Sequence, residues 1–203
     1  MKKVFAIVAL VAAMFVAGNV QAQNMVYVGY APETFTYTNS STNYQGFCVG
    51  FSKNVGIAKG FGVAAGAQFR MNMRSNTELN GGLKTKETQT MIDVPVLFNY
   101  GIAINHDLVI TPFVGPMVSF ALTGNTNTRT YLGNTELTNT DTNWYGENTS
   151  LNRFNLYGVF GADLRVSDFN VFAGYRLGLT DIYKSDNVTL KTNGFFVGLG
   201  FNF

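Results

Sequence analysis

Gly194 to Phe203, the stretch GFFVGLGFNF that ends the chain, alternates between large apolar residues and mostly small ones. Successive side chains of a strand point to opposite faces, so the large apolar residues share one face. That face consists of Phe195, Val197, Leu199, Phe201 and Phe203. In a soluble protein, a flat apolar strand at the end of the chain would favour aggregation. The pattern instead predicts a strand that closes a barrel and turns its apolar face to lipid.

The beginning of the chain has the features of a secretory signal peptide. Lys2 and Lys3 form a basic start, residues 4–18 form an apolar run, and Val20-Gln21-Ala22 supplies small residues before a cleavage point. The apolar run is shorter than the ~20 residues of a typical membrane-spanning helix, which disfavours a transmembrane anchor. We predict a signal peptide over residues 1–22, cleaved near Ala22, and one barrel domain over residues 23–203.

The composition fits an exported chain that meets lipid. Removal of the signal peptide leaves 12 basic and 12 acidic residues, so no net charge points to nucleic acid as a partner. Only 13% of the residues are charged, about half of the ~25% typical of soluble domains. The single cysteine, Cys48, forms no internal disulfide. A soluble periplasmic barrel is the remaining fold alternative, and it would need a more charged surface.

Eight segments show the alternation expected of membrane-spanning strands. They lie roughly at residues 25–37, 44–57, 61–74, 88–102, 108–122, 151–166, 169–183 and 194–203. Short connections alternate with long polar ones, which is the asymmetry of outer-membrane barrels. The sequence therefore predicts an all-β fold: an eight-stranded antiparallel transmembrane β-barrel with short periplasmic turns and long polar extracellular loops.

Four prolines and one long loop leave the strand register open in places. Proline removes a ladder donor, so we expect irregularities or bulges at Pro32, Pro95, Pro112 and Pro116. The longest loop, residues 123–150, can hold a hairpin above the membrane. Its residues are too polar to face lipid, so the number of spanning strands stays at eight.

Three internal motifs and the terminal phenylalanine resemble a known family. The motifs are Met91-Ile92-Asp93-Val94-Pro95-Val96-Leu97, Thr111-Pro112-Phe113-Val114-Gly115 and Gly174-Tyr175-Arg176-Leu177-Gly178-Leu179-Thr180-Asp181-Ile182. They look like the small outer-membrane β-barrels of the porin-family or PorT-like kind that is typical of Bacteroidetes. The resemblance spans nearly all of the mature chain and implies the barrel fold and the outer membrane, but it supplies no catalytic residues.

The terminal strand also resembles the signal by which the outer-membrane assembly machinery recognises barrels. Alternating apolar residues that end in Phe203 carry this second resemblance. It implies two partners, the barrel assembly machinery and outer-membrane lipid.

Residues suited to catalysis or to metal binding are scarce. The only histidine, His106, lies in a short turn on the predicted periplasmic side. Lipid-acting barrels work at the outer side, which disfavours an enzyme built on this imidazole. The sequence has no Cys/His cluster for zinc, and we predict no cofactor.

Six charged side chains fall on the inward faces of the predicted strands. They are Arg70, Asp93, Arg153, Asp163, Arg165 and Arg176. Charges in a narrow lumen are costly unless they are paired or hydrated. Because eight strands leave room for little more than side chains, we favour an internal polar network that closes the lumen. The alternative is an arginine-lined anion path.

The long polar loops are the remaining place for a function. Trp144 and Tyr145 stand side by side in the longest loop and could contact an extracellular ligand of unknown identity, although a loop that only shields the barrel from solvent is the favoured interpretation. We predict a structural or surface-interaction barrel. The alternatives are a small porin or channel for small polar solutes and, with less support, a lipid-acting enzyme.

Overall fold

The computed structural model describes residues 22–37, 40–77, 82–132, 135–146, 151–183 and 189–203. The predicted signal peptide lies outside the described residues except for Ala22, where the first strand begins. In the described part, the regular structure consists of strands alone. None of the described residues belongs to a helix long and apolar enough to cross a membrane.

The described residues form eleven strands in chain order. They are β1 (Ala22–Tyr30), β2 (Glu33–Tyr37), β3 (Ser40–Ala58), β4 (Phe61–Thr77), β5 (Leu83–Tyr100), β6 (Ile102–Ala103), β7 (Leu108–Leu132), β8 (Thr135–Asn143), β9 (Phe154–Val166), β10 (Phe169–Gly178) and β11 (Leu190–Asn202). All of their pairings are antiparallel.

The sheet closes on itself. β11 pairs with both β1 and β2, and β1 and β2 both pair with β3, so the two ends of the sheet meet. The order β11-β10-β9-β7-β5-β4-β3 completes the ring, while β6 and β8 pair with β7. Counting β1 with β2 as one strand of the ring, the predicted eight-stranded antiparallel barrel is confirmed. Closure pairs the edges that an open sheet would expose to lipid.

The two ends of the barrel differ. One end, the turn end, carries the tight turns at Lys59-Gly60 and Ser167-Asp168 together with the bends at residues 104–107. Lys59, Gly60 and Ser167 have positive φ angles of 38°, 90° and 53°, which fits reversals too short for extended backbone. The opposite end, the loop end, carries the long connections.

The apolar and the small or polar residues that alternate along the sequence lie on the outer and the inner face of the barrel, respectively. In the last stretch of the chain, Phe195, Val197, Leu199, Phe201 and Phe203 are exposed on the outer surface, whereas Asn202 is buried inside. Aromatic side chains ring the turn end, where Phe61 contacts Tyr100 and Phe169 contacts Phe201. Such a belt matches the level of a membrane interface.

The prolines affect the ladder in two different ways. The predicted irregularity at Pro32 is confirmed, because the chain leaves the ladder at Ala31 and Pro32 between β1 and β2. No bulge occurs at Pro95, Pro112 or Pro116, since the register is the same on both sides of each, but the β4–β5 ladder is interrupted beside Pro95 and the β5–β7 ladder is interrupted beside Pro116. A proline removes one donor without lengthening its strand, so neighbours on both sides still hold the register.

The strands continue farther at the loop end than the predicted segments. β4 and β5 pair as far as Thr77 and Lys84, inside a segment predicted to be loop. The predicted hairpin is confirmed, because β7 runs to Leu132 and pairs with β8. Its turn, Gly133-Asn134, lies outside the described residues. We call the extension the protruding sheet, and it comprises residues 74–77, 83–87, 124–132 and 135–143.

Candidate functional site

Two regions of different character fill the barrel interior. Toward the loop end lies a layer of buried polar side chains, which we call the seal: Glu33, Arg70, Asn72, Asp93, Tyr157, Arg176 and Thr192. Toward the turn end lies a cavity of about 660 Å³ that reaches the turn residues Lys59 and Gly60. The lumen is therefore closed on one side and open on the other.

Two ion pairs that share one arginine form the centre of the seal. Arg70 on β4 pairs with Asp93 on β5, with Nε and Oδ2 2.8 Å apart, and also with Glu33 on β2. All three side chains are fully buried or nearly so. Charges withdrawn from water in this way are tolerated only when partners surround them.

Neutral side chains satisfy the remaining lone pairs of the two carboxylates. Glu33 accepts hydrogen bonds from the Asn72 amide and from the Tyr157 hydroxyl. Asp93 accepts from Gln68 at 2.7 Å and from Ser119 at 2.5 Å. The network thus joins strands on opposite sides of the ring.

Arg176 is the second cation of the seal, and it bonds to backbone carbonyls instead of carboxylates. Its Nη2 donates to the carbonyl oxygens of Ala31 and Pro32 at 3.0 and 3.1 Å. Those carbonyls are available because the chain leaves the ladder at this point. A side chain on Gly194 would collide with the Pro32 carbonyl, so glycine is required beside the break. Two cations and two carboxylates are then buried together.

A second barrier, which we call the cap, lies at the loop end. It consists of Phe35, Tyr44, Trp144, Tyr145, Ile182 and Leu190. Trp144 packs against Phe35 and Tyr44, with ring centroids 6.4 and 6.2 Å apart. The Tyr145 hydroxyl accepts a hydrogen bond from the Gln89 amide, and burial raises the pKa of this phenol. The cap therefore closes the loop end of the barrel.

Both aromatic residues predicted as possible ligand contacts belong to this cap. Tyr145 is buried and Trp144 is partly buried, so neither side chain is freely exposed. Arg153 fixes the same segment, because it lies 5.0 Å from the Tyr145 ring and donates to the Tyr145 and Leu122 carbonyls. Packing these rings against other apolar side chains is more favourable than exposing them to water.

The structure separates the six charged residues that the sequence placed inward. Arg70, Asp93 and Arg176 meet in the seal. Arg153 departs from the expected network, since it bonds to backbone carbonyls in the cap. The last two, Asp163 and Arg165, line the cavity, where Asp163 accepts from Asn170 and Arg165 donates to Gln23 at 2.6 Å.

Sequence reasoning missed Glu33, the acceptor at the centre of the seal. A signal for it existed, because alternation from Tyr27 through Gly29 and Ala31 puts residue 33 on the inner face. Treating Pro32 as an irregularity interrupted that count.

The cavity has an apolar inner wall and a polar rim. Phe113 stacks on Phe196 with centroids 6.3 Å apart and planes inclined by 18°. Met117 lies beside them, and Gln23, Asn54 and Asn202 line the outer part. Among the described residues, no group of three or more His, Cys, Asp and Glu side chains could hold a metal ion. His106 lies in the exposed bend at the turn end.

A closed antiparallel ring with an apolar exterior and a polar interior defines a transmembrane β-barrel. The family model described as "Outer membrane protein beta-barrel domain" matches residues 12–184, which is more than half of the chain. The chain therefore belongs to this family of outer-membrane β-barrels. A search of curated proteins found no match.

Solved structures of small outer-membrane barrels share the fold. Ail, the attachment invasion locus protein of Yersinia pestis, is 15% identical, with a TM-score of 0.52 over 90% of this chain and 99% of that one. Ail in complex with the heparin analogue sucrose octasulfate matches at 15% identity and a TM-score of 0.51, with the same coverage of the two chains. Neisserial surface protein A is 14% identical, with a TM-score of 0.52 over 89% of this chain and 97% of that one. At these identities the likeness concerns the fold alone.

Proposed function

We propose that the protein is a closed, non-conducting outer-membrane barrel that acts at the cell surface through its protruding sheet. The observation that carries this proposal is the double barrier at the loop end. The seal fills the lumen with paired charges, and the cap covers the seal with aromatic side chains. The protruding sheet extends beyond both barriers, which favours a role outside the lumen.

The proposed absence of conduction can be measured directly. The protein is reconstituted into a planar bilayer, and single-channel current is recorded beside a known porin. We expect no steady conductance, because crossing the seal would require breaking buried ion pairs. Steady conductance from the intact protein would favour the small porin instead. An enzymatic role is not proposed, since neither the seal nor the cap leaves a nucleophile and a base beside an open site.

A cationic patch on the protruding sheet supports one class of ligand. Lys84 lies directly opposite Arg129 across the β5–β7 pair, and Lys86 is two residues farther along the same face of β5. All three are exposed, and like charges directly opposite each other are destabilising. Glu136 offsets part of this repulsion, at 3.8 Å from Arg129. An anionic ligand would offset the rest.

Sulfated or phosphorylated glycans are therefore the ligand class that we propose. Ail, which shares the fold, has been solved with the heparin analogue sucrose octasulfate. That compound is a practical probe, titrated into the folded protein in lipid nanodiscs by calorimetry. The variant Lys84→Gln with Arg129→Gln removes the opposed charges, and Lys59→Gln at the turn end is the matched control.

The expected result is binding that the double variant weakens and the control retains. Binding should also fall as salt rises, because exposed charges are screened within ~8 Å at physiological ionic strength. Equal binding by the wild type and the double variant would contradict the assignment of the patch, and absence of binding would contradict the ligand class.

The remaining parts of the proposal concern the route to the membrane. The signal peptide is cleaved near Ala22, the turn end faces the periplasm, and the assembly machinery recognises the apolar alternation of β11. The narrower resemblance to PorT-like barrels of the Bacteroidetes type is also part of this proposal. Exposed apolar residues on the outer face of β11 from Phe195 to Phe201 support insertion into lipid.

A further inference from the structure

The turn-end cavity takes no part in the surface role, yet its lining combines the features of a small-molecule site. Its volume of about 660 Å³ falls within the ~300–1,000 Å³ typical of such sites. The stacked Phe113 and Phe196 rings provide an apolar wall, which Phe172 extends with its ring 6.2 Å from that of Phe196. Apolar walls with a few convergent polar groups are the usual form of a ligand pocket.

Positive charge exceeds negative charge around this cavity. Lys59 stands at the mouth, Arg165 lies along the wall and Arg176 lies at the inner end, whereas Asp163 is the single carboxylate of the lining. Even if Arg176 is assigned wholly to the seal, two cations face one anion. In a site partly shielded from water, such an excess favours an anionic occupant.

Arg176 also has a polar atom that the seal does not use. Its Nη2 is occupied by the Ala31 and Pro32 carbonyls, but its buried Nε has no hydrogen-bond partner among the described residues. An unpaired buried donor costs about 1–3 kcal/mol. Its guanidinium lies 6.0 Å from the centre of the Phe196 ring, so the free donor and the apolar wall are neighbours.

We propose that the cavity binds a small soluble amphipathic anion, an aromatic or short-chain carboxylate. Its apolar body packs against Phe113 and Phe196, and its carboxylate faces the Arg176 guanidinium at the inner end of the cavity. Arg165 and Lys59 draw it in from the mouth. The occupant comes from the aqueous phase, because the cavity opens at the turn end among polar side chains such as Gln23 and Asn54.

Methionine methyl groups provide reporters at known positions. Met25 and Met117 line the cavity, Met91 lies on the loop-end side of the seal, and Met71 belongs to the outward face of β4. The folded protein, labelled with ¹³C at the methionine methyl groups, is held in lipid nanodiscs. Three matched probes are titrated: 3-phenylpropionate, 3-phenylpropanamide and 3-phenylpropylamine.

We expect the carboxylate to shift the Met25 and Met117 signals saturably and to leave Met91 and Met71 unchanged. The neutral amide should bind at least about tenfold more weakly, which corresponds to about 1.4 kcal/mol. The amine should bind more weakly still. Arg165→Gln, which keeps a donor for Gln23, should weaken the carboxylate and leave the amide unaffected.

Two variants of β4 separate occupation of the cavity from partition into lipid. Ala64→Phe fills the cavity from its wall and should abolish the shifts, whereas Ala67→Phe on the outward face should retain them. A gel that shows the heat-modifiable folded band checks that both variants fold.

Three outcomes would overturn the proposal. They are the absence of shifts, equal responses to the three probes, and shifts that persist in Ala64→Phe or appear equally at Met71. The proposal does not rest on the surface role, so failure of glycan binding leaves it standing.

Discussion

Replacing Glu33 with glutamine is the sharpest test of the seal. The change keeps the shape of the side chain but removes one of four buried charges, so Arg70 and Arg176 face Asp93 alone. Removing one partner of a buried ion pair costs about 3–5 kcal/mol, because the other charge stays buried without compensation. We expect a loss of that size in the free energy of unfolding. Glu33→Gln also weakens the hydrogen bonds from Asn72 and Tyr157.

The charge count predicts an unusual double variant. Arg70→Met alone leaves a net negative seal, and we expect it to cost about 3–5 kcal/mol as well. Combined with Glu33→Gln, it leaves Arg176 and Asp93, so the buried charges balance again. The double variant should therefore lose less than the sum of the two single variants, by at least about 2 kcal/mol, within the range of interaction energies between contacting residues.

The assay is urea-induced unfolding of the protein in lipid vesicles, followed by the fluorescence of the single tryptophan and by the folded band on a gel. The matched control is Glu136→Gln, which removes a carboxylate 3.8 Å from Arg129 on the exposed protruding sheet. Exposed pairs contribute about 0–1 kcal/mol, so this control should hardly change the free energy of unfolding. If Glu33→Gln costs no more than the control, or if the two seal variants are simply additive, the charge-balance reasoning is refuted.

Three further predictions concern assembly, packing and the cap. Deleting Phe203 should reduce the heat-modifiable protein found in the outer-membrane fraction, whereas Phe203→Trp should preserve it; normal insertion of the deletion would leave Phe203 a packing role only. Gly174→Ala should cost about 1–3 kcal/mol in the urea assay, because its new methyl group would meet the Phe160 carbonyl and the Phe196 ring. Gly158→Ala meets only ordinary contacts and should be nearly neutral, so equal losses would argue against tight interior packing. Trp144 should emit at shorter wavelength when folded, and Phe35→Ala should shift that emission to the red; unchanged emission would contradict the packing of the cap.

The spanning part of the barrel could be predicted because lipid imposes a simple rule on it. Each outward residue must be apolar, so β11 and β10 show their faces in the sequence alone. The protruding sheet obeys no such rule. Residues 83–87 and 125–132 are exposed or half-buried, and their threonines and asparagines give no apolar period. Their strand structure comes from pairing with neighbours, which a single sequence does not display.

The site was harder to predict than the fold. Contacts across a lumen depend on how far along the barrel axis each side chain lies, as well as on whether it faces inward. Alternation placed Arg153 and Arg70 inside alike, yet Arg153 lies at the loop end and Arg70 lies in the seal. Asp163 faces the same lumen at the level of the cavity. Height follows from the stagger between strands around the ring, and that stagger is fixed only when the barrel closes.

The seal has a consequence for closure itself. Its four charges come from β2, β4, β5 and β10, which lie on different sides of the ring. Shifting the pairing of a strand by one residue turns every side chain on it to the other face. A slip of β2 would expose Glu33 to lipid and leave Arg70 half paired, and a slip of β10 would do the same to Arg176. The alternation of apolar residues determines which side chains of a strand face outward, but a shift of two residues leaves those faces unchanged. The ion pairs do not tolerate such a shift, so a cluster that costs desolvation energy also selects one register for the barrel.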